Sequence, residues 1–181
     1  MDTGKQVALL RGINVGKAKR IAMADLRALV AELGFGDVKT LLNSGNVVYT
    51  APDTAPEDAA SRIEAAIVAK TGISSRVTVL TAAEVAEVID GNPFGDVENP
   101  SRFLVTVLRD PADRARLEPL TKEDWGTDSL ALGRRVAYTW CRDGVLESRL
   151  PDTLNRLLGD RATARNWATM LKLRALTGEP R

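Results

Sequence analysis

Histidine is absent from this chain of 181 residues. Its absence excludes Ser-His-Asp and Cys-His catalysis, imidazole acid/base chemistry and any zinc site that needs imidazole. An enzyme with this sequence would use carboxylates, lysine, arginine, serine or tyrosine, and a metal would be held by oxygen ligands alone. No aspartate-rich loop with the spacing of such a site is present, so we expect neither a bound metal nor a cofactor.

Cysteine and long apolar runs are also scarce. The single cysteine, Cys141, cannot close an internal disulfide, which agrees with a reducing compartment. No apolar run approaches the roughly 18 residues of a membrane-spanning helix, and the first residues lack the apolar core of a cleavable signal. The sequence therefore predicts a cytoplasmic protein without a membrane partner. Because no histidine is available to lower its pKa, Cys141 is interpreted as a buried structural thiol.

Aromatic residues make up only 4% of the chain, which leaves few rings on which nucleic acid bases could stack. The hydrophobic fraction of 44% and the charged fraction of 27% are ordinary for a folded globular chain. A chain of this length accommodates one large domain or two small ones.

The charges are unevenly distributed although the net charge is only +1. Residues 1–20 hold five basic side chains against one acidic, and residues 145–181 hold seven against four. Residues 51–130 hold eight basic side chains against fifteen acidic. Basic termini around an acidic middle favour one positive face, which bears on the kind of partner. The alternative, charges scattered over the whole surface, stays open.

The first half of the chain alternates apolar runs with amphipathic helical patterns. The predicted elements are a strand over 6–10, a helix from Met23 to Gly34, strands over 38–42 and 47–49, a helix ending at Gly72, and a strand over 76–80. Thr54 and Glu57 predict a capping box at the start of the second helix. The order is βαββαβ, which is typical of the ferredoxin-like fold.

The second half repeats this pattern after a connecting helix. Thr81 and Glu84 predict a capping box for that helix, which ends near Gly91, and the Pro/Gly-containing stretch 92–100 is the predicted boundary. The further predicted elements are a strand over 103–108, a helix capped by Asp110, strands over 130–132 and 136–141, a helix before Gly159 and a terminal helix with Trp167 and Met170. The sequence thus predicts an α+β fold of two ferredoxin-like (βαββαβ-type) units with a C-terminal helix, divided as 1–91 and 92–181 and built into one globule.

The first candidate site is the connector at 12–17, Gly-Ile-Asn-Val-Gly-Lys. A Walker A loop has four residues between its glycines and a Ser or Thr after its lysine, and neither condition holds here. The dinucleotide fingerprint G-x-G-x-x-G is also missing. What remains is a glycine-containing loop before a helix, which is typical of anion binding. Its positive charge comes from Arg11, Lys17, Lys19 and Arg20. Alternatively, Gly12 and Gly16 serve turn geometry alone.

The second candidate is the turn at 43–46, Asn-Ser-Gly-Asn. Asparagine and glycine tolerate a positive φ, so the plain interpretation is a hairpin turn. In the functional interpretation, Ser44, Asn46 and the turn amides donate hydrogen bonds to a ligand. We expect this turn and the loop after the first strand to lie at opposite ends of the sheet, so they need not share a site.

The third candidate runs from Arg161 to Trp167, which we predict to lead into the terminal helix with Thr163 as a cap. Arg161 and Arg165 stand four residues apart near the start of that helix, where positive charge opposes the helix dipole. We therefore expect an anionic neighbour beside them. An acidic protein partner, a phosphate or an internal carboxylate would each serve. Trp167 is interpreted as a core residue.

Five motifs together carry a resemblance to a known family. They are "ALLRGINVG", "MADLRALVAELGF", "LLNSGNVVY", "NPF" and "TARNWATMLKL". With them the chain resembles the bacterial domain-of-unknown-function family 1697 over nearly its whole length. The resemblance implies a two-part α+β structure of ferredoxin-like units and supplies no activity. The family's first loop usually has a second glycine where Lys17 stands, and its second-half "SKL" pattern has Arg149 after the serine here.

The leading functional hypothesis is a phosphate- or anion-binding module without metal or redox chemistry. Its ligand would be a nucleotide, a phosphorylated metabolite or, less well supported, a nucleic acid. The predicted ligand-binding residues are Arg11, Gly12, Asn14, Gly16, Lys17, Ser44, Asn46, Arg161 and Arg165. One alternative is a small transferase or hydrolase of a phosphorylated metabolite, and another is a protein-interaction domain without a ligand. Catalytic residues and the oligomeric state do not follow from the sequence.

Overall fold

The computed structural model describes residues 3–178, and its contacts divide the chain into two units. Unit 1 holds residues 3–86 and 173–178, and unit 2 holds residues 87–172. The sequence placed the division between 91 and 92 and assigned the whole terminal helix to the second unit. That the two units form one globule stays a prediction.

Unit 1 is a four-stranded antiparallel sheet in the order β2-β3-β1-β4 with two helices on one face. Its elements are β1 Lys5–Leu10, α1 Met23–Glu32, β2 Gly36–Leu41, β3 Asn46–Thr50, α2 Pro56–Thr71 and β4 Val77–Thr81. The ferredoxin-like order expected from the sequence is confirmed. A further helix, α3 Ala82–Asp90, follows β4 and crosses the division between the units.

The core of unit 1 follows from the two periodicities of the sequence. Leu26 and Val30 on α1, and Ile63 and Ile67 on α2, repeat at helical spacing and are almost fully buried. They pack against alternate residues of the strands, among them Ala8 on β1, because side chains that point to one face of a strand recur every second residue.

Unit 2 repeats this sheet with the order β6-β7-β5-β8. Its elements are β5 Phe103–Leu108, α4 Arg114–Leu117, β6 Ser129–Leu132, β7 Val136–Trp140, α5 Leu150–Leu158 and β8 Ala162–Asn166. Leu117, Leu154 and Leu158 pack against Leu108 and Ala137. The last helix, α6 Trp167–Thr177, begins directly after β8.

Strand β8 corrects the sequence analysis, which read the stretch from Arg161 as the approach to a helix. Residues 162–166 instead pair with β5 in antiparallel register, with Arg165 opposite Val105 and Ala162 opposite Leu108. Thr163 and Arg165 are buried and Ala164 between them is exposed, which is the alternation expected of a strand. Alanine and arginine are not β-formers, so pairing with β5 decides the conformation and local propensity does not.

The start of α2 is a second correction. The sequence predicted a capping box at Thr54 and Glu57, but the N-cap is Ala55, without a side-chain bond, and Pro56 occupies the first turn. Proline fixes its own φ near the helical value and lacks an N–H, so it sets the first residue of the helix. The capping box of α3 is confirmed: the Glu84 N–H donates to Thr81 Oγ1 (3.1 Å), and the Thr81 N–H donates to Glu84 Oε2 (2.9 Å).

Each unit forms the same pattern of backbone hydrogen bonds where its own first strand ends. In unit 1 the Leu10 N–H donates to Gly45 O (2.9 Å), and in unit 2 the Leu108 N–H donates to Arg135 O (2.9 Å). One residue later, Arg11 N–H donates to Arg76 O (2.9 Å) and Arg109 N–H to Arg161 O (2.8 Å). Leu10 and Arg11 of unit 1 are therefore equivalent in position to Leu108 and Arg109 of unit 2, although no repeat is visible in the sequence.

Candidate functional site

Three connections of unit 1 meet at one end of its sheet, which we call the basic end. They are the loop 11–22, the turn 42–45 and the segment 72–76. The backbone bonds from Leu10 to Gly45 and from Arg11 to Arg76 tie the loop to the other two connections. The basic end therefore has a fixed framework, although it contains no regular secondary structure.

The expectation that the loop and the turn lie at opposite ends of the sheet is wrong. Strands β1 and β3 are antiparallel and pair Leu9 with Asn46, so the end of β1 lies beside the start of β3. The Asn14 side chain then reaches the turn, where Nδ2 donates to Asn43 O (2.8 Å). Two of the three candidate stretches thus occupy the same end of unit 1.

Asn14 organises the loop from within. Its Oδ1 accepts from the Ile21 N–H (2.8 Å), and its Nδ2 donates to Ile21 O (2.9 Å) as well as to Asn43 O. Its own N–H donates to Lys19 O (2.9 Å). The backbone φ of 54° lies in the left-handed region, which asparagine tolerates better than most residues. The Asn14 side chain therefore shapes the site, and its amide is occupied by the protein itself.

The glycines of the basic end have two different roles. Gly12 and Gly16 adopt φ values of 68° and 65°, and a Cβ added at either position would meet no atom within 4 Å. Their requirement is thus the backbone conformation. Gly45 has a φ of 88°, and a Cβ there would stand 2.7 Å from Ile13 Cδ1. Only Gly45 is needed for a close approach, because it lets the turn pack against the loop.

The basic side chains of the loop are mostly exposed. Arg11 is half-buried, whereas Lys17, Lys19 and Arg20 are exposed. Lys19 Nζ donates to Ser74 O (3.1 Å), and Arg20 Nη1 donates to Gly16 O (2.9 Å). A lysine ammonium has three donors and an arginine guanidinium five, so each keeps donors beyond these bonds. Lys17 makes no hydrogen bond or ion pair with the residues that the structure describes.

Ser44 and Asn46 hold the turn together. Asn46 is fully buried, and its Nδ2 donates to Leu41 O (2.7 Å) and to Ser44 Oγ (3.0 Å). Ser44 is exposed beside it. The hairpin predicted from the sequence is therefore present, but the positive φ values of its turn fall on Leu42 and Gly45 and not on the asparagines. The Asn46 amide closes the turn.

Arg161 and Arg165 lie in unit 2 before the terminal helix α6, on β8 or at its approach, and not inside the first helical turn. Arg161 precedes β8, and its Nη1 donates to Asp113 Oδ1 (3.1 Å), an oxygen that also accepts from Arg116 Nε (3.0 Å). An internal carboxylate, one of the three neighbours expected from the sequence, thus stands beside Arg161. Arg161 precedes β8, and Arg165 stands on β8 two residues before the start of α6.

Arg165 is the most deeply buried basic side chain assigned to the site. Its Nη1 donates to Thr163 Oγ1 (2.9 Å) and to Ala164 O (2.9 Å). Burial disfavours the charged form and lowers the pKa of the guanidinium to about 10, so the group stays protonated near neutral pH. These contacts are local to β8, and they give Arg165 a structural role in unit 2.

Sequence reasoning missed the contribution of the segment before β4. Ser75 Oγ donates to Arg11 O (2.8 Å), and Arg76 Nη1 lies 3.6 Å from Glu64 Oε2. A signal was available, because the predicted βαββαβ order places the start of the fourth strand beside the end of the first. Had the strand order been followed to the strand ends, Arg76 would have been predicted to lie beside the loop.

The single thiol, Cys141, belongs to unit 2. Cys141 is fully buried, and burial raises the pKa of its thiol. The neutral thiol is a poor nucleophile, so Cys141 is not suited to covalent catalysis. Within residues 3–178, no three Cys, Asp or Glu side chains lie together in a group that could hold a metal ion.

The architecture defines the class of the protein: an α+β chain with two ferredoxin-like units. The chain belongs to the family described as "Protein of unknown function (DUF1697)", whose model matches residues 4–138. The resemblance read from the five sequence motifs is thereby confirmed.

Among solved structures, the chain is similar to "conserved bacterial protein SP0830 from Streptococcus pneumoniae". The two are 18% identical, with 96% of this chain and 98% of that chain covered and a TM-score of 0.79. At this identity the likeness shows the fold alone. No curated protein matches the sequence. Within residues 3–178, no helix combines the length and the apolar character needed to cross a membrane.

Proposed function

We propose that this protein is a binding module for a phosphate-bearing ligand, held at the basic end of unit 1. The observation that carries the proposal is the length of the loop 11–22. Twelve residues separate Leu10 from Met23, whereas only two separate Leu108 from the helical turn at Pro111 in unit 2. Because unit 2 builds the same strand order with the short connection, the fold does not require the long one.

The side chains in the additional length support an anionic ligand. Lys17, Lys19 and Arg20 are exposed, and their remaining donors suit phosphate oxygens, which accept several hydrogen bonds at once. Of the acidic groups on the neighbouring helices, Glu64 is mostly buried and lies beside Arg76, and Asp25 is exposed in the first turn of α1. The four cations of the loop therefore outnumber these two acidic groups.

The helix that follows the loop adds to this preference. The N-cap of α1 is Ala22, which provides no side-chain hydrogen bond to the first turn. The first N–H groups of a helix lack intrahelical partners and carry the positive end of the helix dipole, which favours an anion nearby. Arg20 precedes Met23, the first residue of α1, by three residues, and Asp25 is the acidic side chain of the first turn.

The enzyme alternative has less support. A transferase or hydrolase of a phosphorylated metabolite needs an activated nucleophile or an acid/base group beside the substrate. The chain has no histidine, and Cys141 is buried in unit 2 with a raised pKa. An enzyme of this kind would therefore use lysine or carboxylate side chains for its chemistry.

The protein-interaction alternative is favoured by one observation in unit 2. Leu146, in the short helical turn Val145–Glu147, is 97% exposed, which is unusual for a leucine. One exposed side chain does not form an extended apolar patch, so we place this alternative second.

A thermal-shift experiment tests the proposal. The wild type and a Lys17→Gln/Arg20→Gln variant are heated with inorganic phosphate, pyrophosphate, nucleotides, sugar phosphates and a short DNA duplex. A ligand that binds only the folded state raises Tm as its concentration increases. We expect the wild type to be stabilised by at least one of these probes and the variant to lose the shift while keeping its own Tm within about 3 °C, because surface substitutions usually change stability little.

A matched control keeps the same change of net charge. In a Lys5→Gln/Lys122→Gln variant, one substitution lies at the opposite end of β1 from the loop and the other lies in unit 2. We expect this variant to respond to the probes as the wild type does. If it lost the shift equally, the effect would come from overall charge and the loop would not be the site. If no probe, duplex DNA included, stabilised the wild type, the protein-interaction alternative would take precedence.

A further inference from the structure

We infer that the ligand of the basic end is the phosphate backbone of a double-stranded nucleic acid, contacted without reading its bases. This inference rests on the proposed function and names the class of its ligand. Three features of unit 1 lead to it: the exposure of the cations, the placement of the aromatic rings, and the charge around the loop.

The first feature is that the cations stand on an open surface. Small phosphorylated metabolites are usually bound in concave sites that bury most of the ligand. In the loop, Lys17, Lys19 and Arg20 are all exposed, and open space surrounds the positions of Gly12 and Gly16. An open array of ammonium and guanidinium groups suits a long polyanion, which presents successive phosphates to a surface instead of filling a pocket.

The second feature distinguishes a duplex from a single strand. Proteins that bind single strands stack bases on aromatic side chains. In the described part of unit 1 the aromatic residues are Phe35 and Tyr49, which are buried and stack on each other with ring centroids 4.8 Å apart. Unit 1 therefore offers no aromatic surface to an unpaired base, and contact through phosphates is what remains. A duplex keeps its bases stacked internally and presents its phosphates outward.

The third feature is the local charge. The described residues of the loop 11–22 and of the segment 72–76 contribute five cations and no acidic side chain. These cations are Arg11, Lys17, Lys19, Arg20 and Arg76, of which Arg76 is paired with Glu64 of α2. The turn 42–45 is uncharged. A surface of this composition attracts a nucleic acid backbone even though the whole chain has a net charge of only +1.

Fluorescence anisotropy with a labelled 20-base-pair DNA duplex tests the inference. The same strand, unpaired, serves as the competing ligand, and binding is measured at several salt concentrations. If about three to five phosphates are neutralised, log K should fall linearly with log salt concentration with a slope of about −2.7 to −4.5. We also expect duplexes of unrelated sequence to bind within a factor of three of one another, and the single strand to bind more weakly.

A charge-reversal variant assigns the contact to the loop. Lys17→Glu/Lys19→Glu/Arg20→Glu should weaken duplex binding by about tenfold or more at low salt and make the salt slope shallower by about three. Lys5→Glu/Lys122→Glu/Lys172→Glu removes the same charge at other positions and should change affinity by less than threefold. Circular dichroism spectra of both variants establish that they are folded.

The outcomes separate this inference from the proposed function. Duplex binding that the loop reversal abolishes and the control keeps supports both. Stabilisation by pyrophosphate or a sugar phosphate without duplex binding keeps the proposed function and overturns the inference. A single strand that binds as tightly as the duplex also overturns it, because unpaired bases would then be in contact. A protein that binds neither duplex nor small phosphates contradicts both.

Discussion

At the scale of single residues, two of the positive-φ positions of the basic end, Asn14 and Gly45, hold its loop and turn together. Asn14 has a positive φ, and its side-chain amide donates hydrogen bonds to Ile21 O in the loop and to Asn43 O in the turn. Gly45 has a positive φ where the turn meets that loop. Both positions stabilise the framework on which the basic side chains stand. Substitutions at them therefore test the framework, in contrast to substitutions of the lysines.

Gly45→Ala should lower the free energy of unfolding by about 2–4 kcal/mol. A left-handed conformation costs a residue with a Cβ about 1–2 kcal/mol. The added carbon would also stand 2.7 Å from Ile13 Cδ1 and 2.9 Å from Leu10 Cβ, so the well-packed loop must shift. Chemical denaturation followed by circular dichroism measures the change.

Gly36→Ala is the matched control for this prediction. Gly36 lies on β2 without a positive φ, and the nearest atom to an added Cβ is Thr50 Cβ at 3.9 Å. We expect it to be neutral or to stabilise the protein by up to about 1 kcal/mol, because alanine restricts the unfolded chain. A Gly45→Ala protein as stable as Gly36→Ala would mean that the turn does not pack against the loop as described.

At the scale of elements, the two helix starts predicted from similar sequence patterns turn out differently. Thr81 caps α3 reciprocally with Glu84, whereas Thr54 precedes a helix whose first turn begins at Pro56. Both patterns have a threonine followed three residues later by a glutamate. The difference arises because proline determines its own φ and shifts the start of α2 by one residue.

Thr81→Ala should therefore destabilise the protein by about 1 kcal/mol, the typical cost of removing an N-cap side chain. Thr54→Ala should change the stability by less than about 0.5 kcal/mol, because its side chain caps no helix. Thermal denaturation of the two variants beside the wild type measures both. Equal destabilisation by the two substitutions would restore the capping box that the sequence predicted for α2.

Much of the fold could be predicted because its elements carry periodic apolar patterns. Leu26 and Val30 reveal α1, and Ile63 and Ile67 reveal α2, since the residues that one helix buries are neighbours on its surface. Strand β8 could not be predicted in the same way, because alanine and arginine, which make up three of its five residues, carry little β-propensity and their pairing partner lies more than fifty residues away in β5. Its conformation is decided by long-range pairing.

The candidate site was predictable in composition and less so in arrangement. The positive charge of the loop was visible in the sequence, and so was the glycine at each turn. The contacts of Asn14 with Ile21 and Asn43 depend on how the loop closes, which no local pattern specifies. Arg76 comes to the loop only through the pairing of β1 with β4. The number of charged residues can be counted from the sequence, but which of them lie close together depends on the sheet topology.

At the scale of the whole molecule, the two units have the same strand order, but the connection after the first strand is much longer in unit 1 than in unit 2. The loop of unit 1 is closed twice from within: the Asn14 N–H donates to Lys19 O, and the Asn14 side chain binds Ile21. Ile13 and Ile21, on either side of these bonds, are buried in the core. The loop therefore consists of an anchored base and an exposed tip, residues 15–18, that the core does not use.

Removal of this tip tests whether its length serves the fold or the ligand. We predict that replacing residues 15–18 by Gly-Gly changes Tm by no more than about 3 °C, because the anchoring residues are kept and the entropy of loop closure varies slowly with length. The same variant loses Lys17 and the carbonyl of Gly16 that holds Arg20, so its affinity for phosphate-bearing ligands should fall by at least threefold. Thermal denaturation and the binding experiments above measure the two effects.

Asn14→Ala is the contrasting substitution, because it keeps the tip and removes the anchor. It deletes the three side-chain hydrogen bonds to Ile21 and Asn43 and leaves a left-handed backbone position without asparagine, so it should destabilise the protein by about 1–3 kcal/mol. A tip deletion as destabilising as Asn14→Ala would show that the long connection is part of the fold. The proposed function would then lose the observation on which it rests, since the length of the loop would have a structural cause.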